Sequence, residues 1–133
     1  MIRKINHVGL AVEDAKETAA LYSKLFGFEA AESLMEPEAG FRSTMISKGD
    51  VTLELIEPVG PQGMIQKFLE KRGSGLHHIS IEVGDLAEEM LRLKSLGVRF
   101  VSEEVMELAD ARIVFIHPRS TGGLLIELMQ KKS

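Results

Sequence analysis

The sequence of 133 residues contains no cysteine and no long apolar run. Without cysteine there can be no disulfide, no thiol catalysis and no cysteine-bound zinc, so any metal must be held by nitrogen and oxygen ligands. No window stays apolar over the roughly 18 residues that a membrane span requires, and the segment from Met1 to Ile5 lacks a secretory apolar stretch. We therefore expect a cytoplasmic protein.

An excess of positive charge is also missing. The formal net charge of −4 gives no global reason to expect nucleic acid or an anionic membrane as a partner. The hydrophobic share of 44% and the charged share of 27% are ordinary for a soluble globular protein. Since low-complexity segments and long linkers are lacking too, we expect one domain over residues 1–133.

What the sequence does contain is the same pattern twice. The segment Asn6–Val12 reads NHVGLAV and the segment His77–Val83 reads HHISIEV. His7 and His78 are 71 positions apart. The ends of the two halves also match, since LELI at 53–56 is answered by IELM at 126–129. Each half therefore offers one His near its start and one Glu near its end.

Each half predicts a βαβββ module, so the chain predicts an α+β protein that arose by internal duplication. In the first module, a strand over Ile5–Val12 leads to a helix that Asp14 caps, with Glu17 at capping-box spacing, and that stops at Gly27. Three strands follow at about 28–33, 41–47 and 51–56, and a tight hairpin joins the last two.

A connector and a second module complete the chain. The connector is predicted as a helix over about 61–72, which the Gly73-Ser74-Gly75 segment ends. The second module has a strand over 76–83, a helix that Asp85 caps and Gly97 ends, and strands near 99–102, 112–117 and 124–129. The modules thus span about 1–58 and 74–130, and the connector about 60–73.

Strand alternation places the repeated His and Glu residues on the polar faces of their strands. In each case the neighbours on the opposite face are apolar and suited to packing under a helix. The residues concerned are His7, Glu54, His78 and Glu127. Burying a carboxylate is costly unless a cation, a hydrogen-bond network or a shifted pKa compensates. One divalent cation bound by two imidazoles and two carboxylates would compensate for both Glu residues.

The remaining polar candidates are interpreted as structural. His77 points away from the His78 face and is expected to pack against the connector, and His117 before Pro118 is expected to be structural. The glycine segments at 73–75 and 121–123 lack phosphate-loop spacing and are expected to be turns. A ligand phosphate at the basic residues of the connector or at Arg119 is a weaker alternative.

Six segments resemble the vicinal oxygen chelate superfamily of glyoxalases, bleomycin resistance proteins and dioxygenases, and within it the methylmalonyl-CoA epimerases. The resemblance covers almost the whole chain, and the last three segments discriminate best. They are NHVGLAV at 6–12, LELIEP at 53–58, GLHHI at 75–79, SEEV at 102–105, FIHPR at 115–119 and GLLIEL at 123–128. The resemblance implies two βαβββ modules whose mixed sheets close into a cup around a divalent metal.

The resemblance also implies which residues hold the metal and what reaction follows. The ligands would be His7, Glu54, His78 and Glu127, and the Glu54 position holds Gln in some relatives. Cobalt, manganese, nickel, zinc or magnesium would suit such ligands. The implied reaction interconverts (R)- and (S)-2-methylmalonyl-CoA, because a metal that chelates both oxygens of a malonyl thioester eases removal of the proton between them. The implied partners are an acyl-CoA substrate and a second copy of the chain in a homodimer.

The groups that move the proton stay open. Some epimerases place a Glu, proposed as a base, where this chain has Ser43, and Ser is no general base at neutral pH without help. Pairing across the hairpin puts Ser43 on the same face as Glu54. Glu54, Glu127 and a metal-bound water are the candidates, and the sequence does not rank them.

Two other functions are compatible with the same fold. A glyoxalase I-type lactoylglutathione lyase uses the same ligand set, but its last hairpin commonly reads Asp-Pro-Asp-Gly, unlike the segment from His117 to Ser120. A non-enzymatic small-molecule binding protein of this fold normally lacks the four ligands. A dioxygenase would use two His and one carboxylate on iron, so the extra acidic ligand argues against it.

Overall fold

The structure is a computed structural model that describes residues 2–133, with Glu32 described for its backbone alone. Its contacts group the chain into two units, which are described separately. We call His7–His77 the amino-terminal unit, and residues 2–6 with His78–Ser133 the carboxyl-terminal unit. Within residues 2–133 we find no helix with the length and apolar character needed to cross a membrane.

The first six elements form a strand, a helix, three strands and a second helix. They are β1 (Ile2–Ala11), α1 (Ala15–Phe26), β2 (Glu29–Glu36), β3 (Phe41–Lys48), β4 (Val51–Pro58) and α2 (Met64–Arg72). The predicted caps of α1 are confirmed, because the Asp14 side chain accepts a hydrogen bond from Glu17 N at 3.0 Å and Gly27 ends the helix at φ 78°.

The amino-terminal unit is built on a mixed sheet in the order β2-β3-β4-β1. The β1 strand runs parallel to β4, whereas the β2/β3 and β3/β4 pairs are antiparallel. Two apolar clusters cover the two sides. Leu55 and Ile46 pack with Val12 and Ala15 of the α1 side, and Ile56 packs on the other side with Ile65 of α2. The connector helix therefore covers the sheet face that carries the predicted ligands of this unit.

The carboxyl-terminal unit repeats the order of elements without the connector. It contains β5 (Gly75–Val83), α3 (Leu86–Ser95), β6 (Met106–Glu107), β7 (Ala111–Ile116) and β8 (Ile126–Lys131), with a single 3-10 turn at Pro118–Ser120. Its strand order is β5-β8-β7-β6, with β5 parallel to β8 and the other pairs antiparallel. Asp85 caps α3 by accepting from Glu88 N at 3.0 Å, as predicted.

The observed elements confirm the α+β class and the βαβββ order in each half. Mixed sheets are confirmed as well, because each set of strands contains one parallel pair. The origin of the two halves by duplication and the closure into a cup stay predictions.

Two boundary predictions are wrong. The predicted strand at 99–102 is irregular chain with one bridge, between Phe100 and Ile116, and the strand of that region is β6 at Met106–Glu107. Ser102 explains the early end, since its hydroxyl accepts from Glu104 N and turns the backbone. The connector helix begins at Met64 instead of residue 61, after Gly63 at φ 123°.

The close packing of the chain before α2 accounts for that late start. A Cβ atom placed on Gly40 would lie 2.8 Å from the carbonyl oxygen of Gln62, so the segment before the helix lies directly on the β2–β3 turn. The backbone at Gly63 then needs a conformation that other residues rarely adopt. Proline and glycine signals alone indicate a helix near this point, but the tertiary contact decides where it begins.

A buried charged pair on α3 predicts a pH-dependent stability. Glu89 is 2% exposed and accepts two hydrogen bonds from Arg92, at 2.5 and 3.1 Å, and these bonds lower the pKa of the Glu89 carboxyl below its ordinary value. The lowered pKa stabilises the fold above the ordinary pKa of Glu, and that contribution is lost as the pH falls through the lowered value. Glu89→Gln should reduce the melting temperature at pH 7, and the difference from wild type should shrink towards pH 3. Circular dichroism melts at both pH values test this, and an equal difference at both would contradict it.

Candidate functional site

The amino-terminal unit brings His7 and Glu54 together. In the parallel pair of β1 and β4, Gly9 lies opposite Glu54, so His7 and Glu54 point to the same face. The His7 Nε2 atom is 3.2 Å from Glu54 Oε1. The side chains are 5% and 14% exposed, which makes this a buried pair.

Ser43 holds the second oxygen of the same carboxylate. The β3/β4 register pairs Met45 with Glu54 and Ser43 with Ile56, so the predicted placement of Ser43 on the Glu54 face is confirmed. The Ser43 hydroxyl donates to Glu54 Oε2 at 2.6 Å, and Ser43 itself is buried. The two oxygens of Glu54 therefore have different neighbours, an imidazole and a hydroxyl.

The α2 helix closes one side of this face. Ile65 and Phe68 of α2 belong to the apolar cluster that contains Ile56. His77 packs edge-on against Phe68 with a centroid distance of 5.1 Å, so the prediction that it packs against the connector is confirmed. Arg72 lies 5.6 Å from the Phe68 ring centroid on the same helix.

The carboxyl-terminal unit brings His78 and Glu127 together. In the parallel pair of β5 and β8, Ser80 lies opposite Glu127, which puts both predicted ligands on one face. The His78 Nε2 atom is 4.0 Å from Glu127 Oε2, and the side chains are 3% and 8% exposed. Phe115, the β7 neighbour of Glu127, packs edge-on against the His78 ring at 5.9 Å.

Two further polar residues share this face and were given no role by the sequence. Glu82 is buried and accepts from Asn6 Nδ2 at 3.0 Å, with Lys131 Nζ at 3.7 Å. Ser80 is fully buried. Alternation with His78 is the signal that places both on the ligand face, but only the structure shows that they are buried.

His117 has a local structural role, as predicted. Its Nδ1 atom accepts from Arg119 N at 3.1 Å and so caps the 3-10 turn at Pro118–Ser120. The predicted turn at 118–123 is confirmed, since Gly122 and Gly123 have φ of 73° and 97°.

The donor atoms of each pair suit a shared ion. Ligand atoms about 2.1 Å from one metal lie roughly 3 Å apart when they are adjacent at a right angle. The His7 Nε2 to Glu54 Oε1 distance of 3.2 Å matches that spacing, and the 4.0 Å between His78 Nε2 and Glu127 Oε2 exceeds it by less than a bond length. Imidazole nitrogen and carboxylate oxygen are donors that many divalent ions accept.

Comparison with known proteins gives a consistent family. The Glyoxalase/Bleomycin resistance protein/Dioxygenase superfamily matches residues 6–115. Human mitochondrial methylmalonyl-CoA epimerase is 36% identical over 129 residues, which are 96% of this chain and 73% of the human protein. The ethylmalonyl-CoA/methylmalonyl-CoA epimerase of Cereibacter sphaeroides is 35% identical over 133 residues, covering 98% of this chain and 99% of that protein.

A solved structure agrees with the sequence relatives. The Streptomyces coelicolor methylmalonyl-CoA epimerase in complex with 2-nitronate-propionyl-CoA superposes with a TM-score of 0.91 at 28% identity, covering 100% of both chains. Family match, curated relatives and backbone all point the same way. The chain belongs to the Glyoxalase/Bleomycin resistance protein/Dioxygenase superfamily, and it has the methylmalonyl-CoA epimerases among its relatives there.

Proposed function

We propose that this protein is a metal-dependent epimerase that interconverts (R)- and (S)-methylmalonyl-CoA. The observation that carries the proposal is the buried contact of His7 Nε2 with Glu54 Oε1 at 3.2 Å, in a chain whose curated relatives over almost its whole length are epimerases of this substrate. The second pair, His78 with Glu127, supports it by repeating the donor set.

One divalent ion per chain is proposed, held by His7, Glu54, His78 and Glu127. Four protein ligands leave two positions of an octahedral ion for a bidentate substrate. When bound, the metal would polarise the thioester carbonyl and the carboxylate of a malonyl thioester and so acidify the carbon between them. Cobalt is our first candidate, and manganese, nickel, zinc and magnesium accept the same donors.

The residues of the chain would orient the carboxylates and move the proton. Inversion requires that a proton leave one face of the α-carbon and return to the other, so two groups or one mobile group must serve. Ser43 cannot be the base without help, but its hydroxyl fixes Glu54 Oε2. Glu54 is also more exposed than Glu127, at 14% against 8%. We propose Glu54 as the first proton-transfer group and Glu127 as the second candidate.

A substrate panel tests the proposed reaction. Cobalt-loaded protein should convert pure (S)-methylmalonyl-CoA to a mixture of both epimers with no change in covalent connectivity, as chiral analysis of the product would show. The hemithioacetal of methylglyoxal and a thiol should be left unchanged. Conversion of the hemithioacetal with methylmalonyl-CoA untouched would instead identify a glyoxalase, and inactivity on both would favour a binding protein.

Oligomeric state and location are finer parts of the proposal. We propose a cytoplasmic homodimer, because strand residues such as Leu34, Met35 and Val51 are 42 to 53% exposed and are suited to burial by a second copy. Sedimentation equilibrium at micromolar protein should give twice the chain mass of 14.7 kDa. A mass of 14.7 kDa under those conditions would refute the homodimer.

A further inference from the structure

The Ser80 hydroxyl is the one buried polar side-chain atom that lacks a hydrogen-bond partner within residues 2–133. Ser80 is 0% exposed, so bulk water does not reach it. Leaving a buried hydroxyl without a partner destabilises a protein, because the group has given up its bonds to water. An apolar residue such as Ala would fill this strand position at lower cost in the metal-free protein.

The position of Ser80 indicates what its partner is. Ser80 lies on the face of β5 that carries His78, and its Cα partner on β8 is Glu127. A hydroxyl at this place can donate to a carboxylate oxygen of Glu127 after a small side-chain rotation, because directly paired residues of neighbouring strands project side by side. Glu127 Oε2 is 4.0 Å from His78 Nε2, which leaves room for such a rotation.

The amino-terminal unit already contains the corresponding arrangement. There the Ser43 hydroxyl donates to one oxygen of Glu54 at 2.6 Å, while the other oxygen faces His7 at 3.2 Å. A carboxylate that binds metal through one oxygen is held in place when a hydroxyl donates to the other. In the carboxyl-terminal unit the same three residue types are present, but the hydroxyl bond is not made.

From these observations we infer that Ser80 is a positioning residue, whose hydroxyl donates to the Glu127 carboxylate when a divalent ion is bound. This inference rests on the proposed metal centre and deepens it. Each acidic ligand would then be held by a serine hydroxyl, Glu54 by Ser43 and Glu127 by Ser80. The buried hydroxyl would be kept for metal affinity, at some loss of stability in the metal-free protein.

Cobalt titration of the metal-stripped protein, followed by calorimetry, tests the inference without any assay of activity. Ser80→Ala should weaken cobalt binding by ~10- to 100-fold, the usual effect of removing an outer-shell partner. The melting temperature of metal-free Ser80→Ala should equal or exceed that of wild type. The matched control is Ser95→Ala, which removes an exposed hydroxyl of α3 that donates to Arg92 O, and it should leave cobalt affinity unchanged.

A double-mutant cycle shows whether Ser80 acts through Glu127. In a Glu127→Ala background, Ser80→Ala should change cobalt affinity by less than about twofold, because the carboxylate it positions is gone. Unchanged affinity for Ser80→Ala in the wild-type background, or a lower metal-free melting temperature, would overturn the inference. The epimerase proposal would fail separately, if cobalt-loaded wild type bound the metal normally and did not epimerise methylmalonyl-CoA.

Discussion

Replacing either predicted histidine ligand should empty the metal centre and stop the reaction. His7→Ala and His78→Ala are each expected to reduce metal content from about one ion per chain to a small fraction, because a divalent ion rarely stays bound after a buried imidazole ligand is removed. Activity on methylmalonyl-CoA should fall by at least roughly 10³-fold, since the charge that develops on the substrate loses its main stabilisation. Elemental analysis and chiral product analysis measure the two effects.

His77→Ala is the matched control, because it removes the adjacent imidazole of the same strand. His77 packs on Phe68 of α2, so its loss should lower the melting temperature but leave the metal in folded protein. Full metal occupancy in a His7→Ala, His78→Ala double variant would contradict the ligand assignment. Equal metal loss in His77→Ala would show that the assay reports folding and not ligation.

The Ser43 and Glu54 pair predicts the second large effect. Ser43→Glu should lower the turnover rate by roughly tenfold or more, because it puts a second carboxylate against Glu54 in a buried position where both cannot stay ionised at low cost. The 2.6 Å contact between the Ser43 hydroxyl and Glu54 Oε2 shows how little space separates the two groups. Steady-state kinetics with metal analysis of each variant separates slower proton transfer from loss of metal.

A compensating change makes this prediction sharper. Relatives that the sequence resembles carry Glu at the Ser43 position in some cases and Gln at the Glu54 position in some cases. Glu54→Gln alone should be slow, and Ser43→Glu combined with Glu54→Gln should be faster than Glu54→Gln, because one carboxylate and one neutral partner are restored. A Ser43→Glu variant faster than wild type with Glu54 intact would mean that Glu54 is not the proton-transfer group.

The sequence predicted the elements of the candidate site well because alternation and register are local rules. The sharing of one face by Ser43 and Glu54 followed from counting residues across a tight hairpin, and the structure confirms it in the β3/β4 register. The helix caps at Asp14 and Asp85 were equally local, and both are confirmed.

Features that depend on packing between distant segments were not predictable in this way. The start of α2 depends on the approach of Gln62 to Gly40, and no composition signal encodes that contact. The buried state of Ser80 and Glu82 was also missed, because alternation says which way a side chain points and not what covers it. The absence of a bond to Ser80 becomes visible only when every neighbour has a position.

Exchange of the substrate α-hydrogen in heavy water is the most direct test of metal-dependent epimerisation. Wild-type protein stripped with EDTA should leave (S)-methylmalonyl-CoA undeuterated, and reloading with cobalt should restore deuterium incorporation together with loss of stereochemical purity. Proton NMR of the α-position follows both in one sample. Failure of the cobalt-loaded protein to exchange the α-hydrogen, or equal exchange with and without metal, would contradict the account.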